Sequence, residues 1–407
     1  MEIETNAKSR RTLLGVSLVC NLGMLGFFKY FDFFAVNLQG LLKAIGFNVE
    51  LPLLNLILPV GISFYTLHSL GYVLDVYSRR QPPVKSALEF GCFVSFFPLL
   101  VAGPILRIAT MRKQFSESCP MVVHKAQIES GVCLILIGYF QKIVIADNLG
   151  VFVDRCFSDP KLHSAADLLL GVYAFAYQIY CDFAGYSNIA IGLSLCLGFI
   201  LPANFDRPYF AFGIREFWRR WHISLSSWLR DYLYIPLGGS RKGDTNRNLL
   251  LTMGICGLWH GTSWNMLLWG IYHGAAMVAQ RTLGALIPAH TIAKLSGSVW
   301  GRAFGTLLTF HIVCAGWMLF RAPSLLHAQT YVLSLFKSDW ALSTAAPIAL
   351  ALIATAVAID ILHGAYERQD FPSAWPIFAR GIGLGIVFVA LTVVGGFSNA
   401  PFIYFQF

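Results

Sequence analysis

Two histidines carry the clearest chemical signal in this sequence: His222, in FWRRWHISLSSWLRDYLY, and His260, in the apolar run NLLLTMGICGLWHGTSWNMLLWGIYHG. An imidazole titrates near neutrality, so it can take a proton from a hydroxyl and return it. His260 stands inside an apolar run, where an ionisable side chain is costly and is a functional candidate by default. Gly261, next to it, would let a ligand or a neighbouring backbone come close. The structural alternatives are a buried ring bonded to a carbonyl for His260 and a solvated boundary ring for His222. His273 follows His260 by 13 residues; on one continuous helix the two would stand about 140° apart and share no face. His68 and His311 also lie in apolar runs and read as packing residues. Asp182, in YCDFAGYSN, is placed to orient a histidine or to bond Tyr186 or Ser187. There is no HExxH spacing, no P-loop, no Rossmann glycine fingerprint and no GxSxG elbow, so no metal site or soluble-hydrolase chemistry is indicated.

The elements that must position these residues follow from periodicity. Trp218, Trp221, His222, Leu225, Trp228, Leu229 and Tyr232 recur with helical spacing and form one face of a predicted amphipathic helix. Arg219, Arg220, Ser224, Ser227, Arg230 and Asp231 fill the other sides. Indoles opposite guanidiniums suit a membrane–water boundary, so Trp218, Trp221 and Trp228 read as interfacial anchors. Around this helix the chain is basic: Arg207, Arg215, Arg219, Arg220, Arg230, Arg241, Lys242 and Arg247 stand against Asp206, Glu216, Asp231 and Asp244. The positive-inside rule puts such a stretch on the cytoplasmic side. Its arginines can hold phosphates through charge-assisted hydrogen bonds, with a solvated loop as the alternative.

The rest of the chain is largely apolar. It is 56% hydrophobic and 13% charged, against about 25% charged in soluble domains. Apolar runs of roughly membrane-spanning length make it an all-α, polytopic membrane protein. The short alternating strands of a membrane β-barrel are absent. The net charge of +9 lies mostly between the runs, which argues for cytoplasmic loops and acidic ligands, not nucleic acid. Nine cysteines without a CxxC pair read as reduced packing residues. The N-terminus lacks a signal-peptide cleavage pattern, so residues 13–34 are predicted to be an uncleaved anchor. Further runs cover residues 51–74, 88–106, 128–145, 168–201, the His260 run, 266–278, 302–320, 345–362 and 381–394. Two prolines make 88–106 a broken or re-entrant segment, and 168–201 is long enough for two short helices or a span with a re-entrant hairpin. The expectation is about ten spans in a single domain, residues 1–407, with no internal repeat.

Several of these segments together resemble one family. They are GISFYTLHSLGYVLDVY from Gly61, FFPLLVAGPILR from Phe96, YQIYCDFAGYSNIAIGLSLCLGF from Tyr177, LPANFDRPY from Leu201, EFWRRWHISLSSWLRDYLYIPLGG from Glu216, GLWHGTSWNMLLWGIYHG from Gly257 and the closing FIYFQF. The pattern is similar to the membrane-bound O-acyltransferase (MBOAT) family, in its bacterial exopolysaccharide O-acetylase branch, which acetylates alginate and cellulose. The resemblance implies a helical bundle with interfacial or re-entrant helices around a central tunnel. It implies acetyl-CoA as a cytoplasmic donor substrate, with no permanently bound cofactor and no metal. The family's invariant histidine falls on His260 and its second histidine on His222. The donor phosphates would meet Arg219, Arg220, Arg230, Arg241 and Lys242, and Trp221, Trp259, Asp182 and Trp264 would line the tunnel. The implied partners are a periplasmic SGNH-type acetyltransferase, the polysaccharide synthesis and export complex, and the lipids of the bacterial inner membrane. Relatives usually begin with about two more hydrophobic segments, so the family's N-terminal helices are expected to be absent or truncated here. The rival readings are transfer to another envelope polymer, by peptidoglycan O-acetylation or teichoic acid D-alanylation, and a lipid-linked sugar transporter; the missing repeat symmetry weighs against transport.

Overall fold

The structure is a computed structural model that describes residues 6–100, 103–115, 123–337 and 339–394. The closing FIYFQF run and Cys119 lie outside these residues. All regular structure among the described residues is helical. The chain divides into two compact units, Met1–Met121 and Val122–Phe407.

The first unit opens with α1, Ala7–Ala44, which is 38 residues long and longer than the predicted run. Asp32 of α1 accepts the backbone N–H groups of Leu54 (2.8 Å) and Asn55 (3.0 Å), which ties down the extended chain that follows. The next apolar run is helical only in α2, Ile62–Tyr77. Pro59 and Gly61 delay its start: Gly61 has φ 77°, and a Cβ there would strike the carbonyl of Leu100. The run at 88–106 is broken at Pro98 into α3, Ala87–Val94, and a single 3₁₀ turn. His68 Nε2 accepts the Leu106 N–H at 3.0 Å and its ring packs on Phe93. α4, Ile108–Phe115, follows.

The second unit is built on two long helices, α5 (Lys125–Ser158) and α6 (Ala165–Cys196). α6 is one continuous helix of 32 residues, about 48 Å long. The expected division of residues 168–201 does not occur. Its glycines make close packing and do not break the helix: Gly185 and Gly192 lie against the carbonyls of Gly138 and Gly131 on α5. Small residues let membrane helices approach backbone to backbone in this way. α6 is buried on nearly every side, with Phe175, Ile179, Cys181 and Phe183 fully covered, as an all-round apolar helix must be.

The remaining helices of the second unit follow in chain order. They are α7 (Ile214–Arg220), α8 (Ile223–Leu229), α9 (Thr245–His260), α10 (Trp264–Leu286), α11 (Ala289–Gly297), α12 (Val299–Arg321), α13 (Leu325–Ser334), α14 (Ala346–Tyr366) and α15 (Ile377–Val393). Serine or aspartate caps set many of the starts: Ser164 caps α6, Asp244 α9, Ser263 α10 and Ser298 α12. Among the described residues five helices are long and apolar enough to cross a membrane: α1, α5, α6, α12 and α14. The other expected runs form helices that are shorter, broken or less apolar. All described cysteines are free.

Candidate active site

His260 ends α9, and Gly261, Thr262 and Ser263 separate it from α10. The helix does not continue, so the expected 140° between His260 and His273 does not apply. The two helices fold back on each other as an antiparallel hairpin. Gly257 lies against the carbonyl of Met266 and the Cα of Gly270, Gly270 against the carbonyl of Met253, and Gly274 against Leu250. Both histidine rings then reach Trp269, with centroids 5.1 Å (His260) and 4.9 Å (His273) from the indole. His260 is 3% exposed. Trp259 at 4.9 Å, Trp269 at 5.1 Å and Phe320 at 5.9 Å stand edge-on around it and fix the plane of the imidazole.

His222 lies at a second break. The predicted amphipathic helix ends at Arg220 and restarts at Ile223, and His222 caps the restart in the left-handed region, φ 42°, ψ 56°. That conformation costs a non-glycine residue about 1–3 kcal/mol unless its surroundings enforce it. Asn204 enforces it. Its backbone carbonyl accepts Ile223 N–H at 2.9 Å, and its Oδ1 accepts Ser224 N–H at 3.3 Å and the Ser224 hydroxyl at 2.8 Å. Its amide donates to Ser187 Oγ on α6 at 3.2 Å. A backbone N–H can only donate, so the atom facing Ser224 N is the amide oxygen. The same oxygen lies 3.3 Å from His222 Nδ1. That nitrogen therefore carries the proton, and Nε2 keeps its lone pair. Burial pushes the His222 pKa down to about 3, so the ring is neutral. Phe183 packs edge-on against it at 4.6 Å, and Trp259 stands 6.2 Å away on the His260 side. One indole thus bridges the two histidines.

Asn204→Asp should shift the acidic limb of the pH–rate profile upward by about 1–3 units, because a carboxylate beside Nδ1 stabilises the imidazolium. Asn204→Leu should lose activity without such a shift. A purely structural Asn204 would leave the limb where it is in both variants.

A cavity of about 410 Å³ opens beside this cluster. Arg215, Arg219, Arg230 and Arg281 line it, over a floor that includes Trp218, Met253 and Cys256. Asp231 holds Arg230 through two hydrogen bonds of 2.7 and 3.2 Å, and Arg281 donates to Asn246 at 2.7 Å. Trp218 faces the cavity on one side and Trp269 (5.9 Å) and His273 (5.3 Å) on the other. A chain of two ring contacts, Trp218 to Trp269 and Trp269 to His260, thus links the arginine cavity to the histidine.

Residues 78–315 match the family model of the membrane-bound O-acyltransferases. The chain belongs to the MBOAT family. A probable alginate O-acetylase AlgI from Pseudomonas putida is 37% identical over 100% of this chain and 86% of its own length. A probable AlgI from Azotobacter vinelandii is 39% identical, covering 91% of this chain and 72% of the relative. A peptidoglycan O-acetyltransferase from Helicobacter pylori is 36% identical, covering 80% and 64%. This MBOAT protein is an acyltransferase and a multi-pass membrane protein, and the matched region contains both histidines and the arginine cavity.

Within this MBOAT chain the predicted site residues separate into groups. His222, Trp259 and His260 come together, and Arg219 and Arg230 line the cavity. Arg220 does not: it pairs with Glu216 at 2.6 Å and lines another groove. Arg241 and Lys242 are exposed and outside the residues that line the cavity. Trp221 is fully buried among Phe205, Phe217 and Trp317, and Trp218 is 7% exposed, so neither is an interfacial anchor. Trp264 is 54% exposed at the start of α10. Asp182 pairs with Lys142 of α5 at 2.6 Å, and Lys142 also reaches Asp147 at 2.7 Å. His311 bonds the Leu307 carbonyl and Tyr173. Sequence reasoning assigned no role to Asn204, Lys142 or Arg281. A lysine inside the apolar run at 128–145 was the available signal for Lys142.

Proposed function

We propose that this acyltransferase moves acetyl groups from cytoplasmic acetyl-CoA through the inner membrane for O-acetylation of an exported polysaccharide of the alginate or cellulose kind. The observation that carries the proposal is the pairing of a buried two-histidine centre, joined by Trp259, with a four-arginine cavity two indoles away. The arginines suit the phosphates of coenzyme A, which guanidinium groups bind through charge-assisted forks. The acetyl thioester would extend past Trp218 toward His260, with the charged nucleotide left at the basic, cytoplasmic side. His260 would take the proton of an acceptor hydroxyl as its oxygen attacks the thioester carbon. The C–S bond breaks, an ester C–O bond forms, and the proton passes to the departing thiolate. His222 would act through its Nε2 lone pair, orienting the acceptor hydroxyl. Moving only the acetyl group avoids carrying charge through the membrane interior. A periplasmic SGNH-type acetyltransferase would then place the group on the sugar. The names of the relatives, alginate and peptidoglycan O-acetylases, support acetyl as the group and a saccharide as its destination.

Purified protein in nanodiscs with labelled acetyl-CoA tests the reading. Native protein should release CoA and label an added SGNH partner or oligosaccharide. Arg219→Gln and Arg281→Gln should each raise KM for acetyl-CoA by roughly tenfold or more, the worth of one charge-assisted bond, with kcat little changed. Turnover of a carrier-linked D-alanyl donor in place of acetyl-CoA would refute the donor, and sugar-lipid transport without acyl transfer would refute the enzyme chemistry.

A further inference from the structure

We propose that the groove between residues 207–220 and the first turns of α12 binds the headgroup of an anionic phospholipid. The groove is separate from the donor cavity and measures about 630 Å³. Arg207, Arg220 and Arg302 line it together with Phe210, Ala303 and Leu307. Arg219 and Arg220 are neighbours on α7 yet serve different cavities: Arg219 faces the donor site and Arg220 this groove.

Three observations identify the ligand class. The first is position. α12 is an apolar helix of spanning length that begins at Val299. Val299 and Trp300 are 81% and 86% exposed at its start, and an exposed indole at the end of a spanning helix marks the headgroup level. Leu307 lies five residues beyond Arg302, about 7.5 Å deeper along the helix. The groove is therefore cationic at headgroup depth and apolar below it. Leu307 and Phe210 are 58% and 37% exposed and present a surface for an acyl chain.

The second is charge. Asp206 pairs with Arg207 at 2.9 Å and Glu216 with Arg220 at 2.6 Å. Among the described residues Arg302 makes no ion pair. Three guanidiniums and two carboxylates leave one positive charge, which matches one phosphodiester. The third is orientation. Arg302 occupies the first turn of α12, the end at which the helix dipole disfavours a cation and favours an anion. An anion between Arg302 and the groove would relieve that repulsion, and a guanidinium fork fits phosphate oxygens. Juxtamembrane basic clusters attract anionic lipids on the same grounds.

Occupancy would also brace the catalytic segment. The Arg220 carbonyl accepts the Asp206 N–H at 2.9 Å, and Trp221 and His222 follow directly.

Native mass spectrometry of the full chain in detergent, titrated with phosphatidylglycerol or phosphatidylcholine, tests the site. Native protein should retain phosphatidylglycerol in preference to phosphatidylcholine. Arg302→Gln should weaken phosphatidylglycerol binding by about fivefold, the contribution of one basic residue at a lipid surface. Lys294→Gln removes the same charge from an exposed position on α11 and should change nothing. Millimolar inorganic phosphate or CoA should not displace the lipid. Equal losses in the two variants would overturn the proposal in favour of diffuse attraction. Equal retention of both lipids, or displacement by phosphate or CoA, would overturn it as well.

Discussion

His260→Gln protein should insert and melt like the native chain and yet release CoA from acetyl-CoA about 10²- to 10⁴-fold more slowly. A positioned general base is worth about 10²- to 10⁴-fold, or roughly 3–5 kcal/mol of barrier. Glutamine is the informative replacement. It approximates the volume of the imidazole inside the cage of Trp259, Trp269 and Phe320, and its amide cannot take a proton. His260→Ala should be equally slow but less stable, because a truncated buried side chain leaves a cavity. Turnover by His260→Gln within a few-fold of native would remove His260 from the chemistry. His222→Gln provides the comparison. If His222 orients the acceptor, its loss should fall more on kcat than on KM for acetyl-CoA.

The second large effect concerns stability. Lys142→Met should cost about 3–5 kcal/mol, because it leaves the carboxylates of Asp147 and Asp182 buried without their cation. Lys142 lies 2.7 Å from Asp147 and 2.6 Å from Asp182, with all three side chains at most 10% exposed. Against a typical total stability of about 5–15 kcal/mol, that loss should appear as a collapse in folded yield. The triple variant Lys142→Met, Asp147→Asn, Asp182→Asn removes every charge and should regain much of the yield. Fluorescence-detected size exclusion and melting of a tagged protein would read both. A Lys142→Met protein with native yield and melting would show that the triad contributes nothing. The triad holds α6 at Asp182, and the next residues on that helix, Phe183 and Ser187, support His222 and Asn204.

The architecture was legible where it depends on composition. Low charge and long apolar runs sufficed for an all-helical membrane protein, and a histidine inside such a run was enough to single out His260. Arg219 and Arg230 were legible as the basic side of a helix that carries His222. The breaks were not. Apolar spacing runs through His222 without interruption, because periodicity registers distance along the chain and is blind to one residue turned left-handed. The same holds at Gly261, although Ser263 before Trp264 was a readable helix start. Missing that break separated His260 from His273, which the structure gathers on Trp269. Glycines caused the opposite error on α6, where they signal contact with α5 and not an end. Lys142 was hidden because a lysine in an apolar run reads equally well as the edge of a span, and its acidic partners lie five residues on along α5 (Asp147) and on the separate helix α6 (Asp182).

The α9/α10 hairpin has a mechanical consequence. Gly257 and Gly270 place backbone against backbone, while Leu267 and Ile271 pack on Gly254 and Leu250 and Met253 on Gly274, so the two helices interlock closely. Contact that close favours their moving as one body. Met253 and Cys256 from one helix, Arg281 from the other and His260 at the tip share that body. On the opposite wall Trp218 sits on the short helix α7, and under the proposed donor route it is there that freedom to admit an acyl group would be needed.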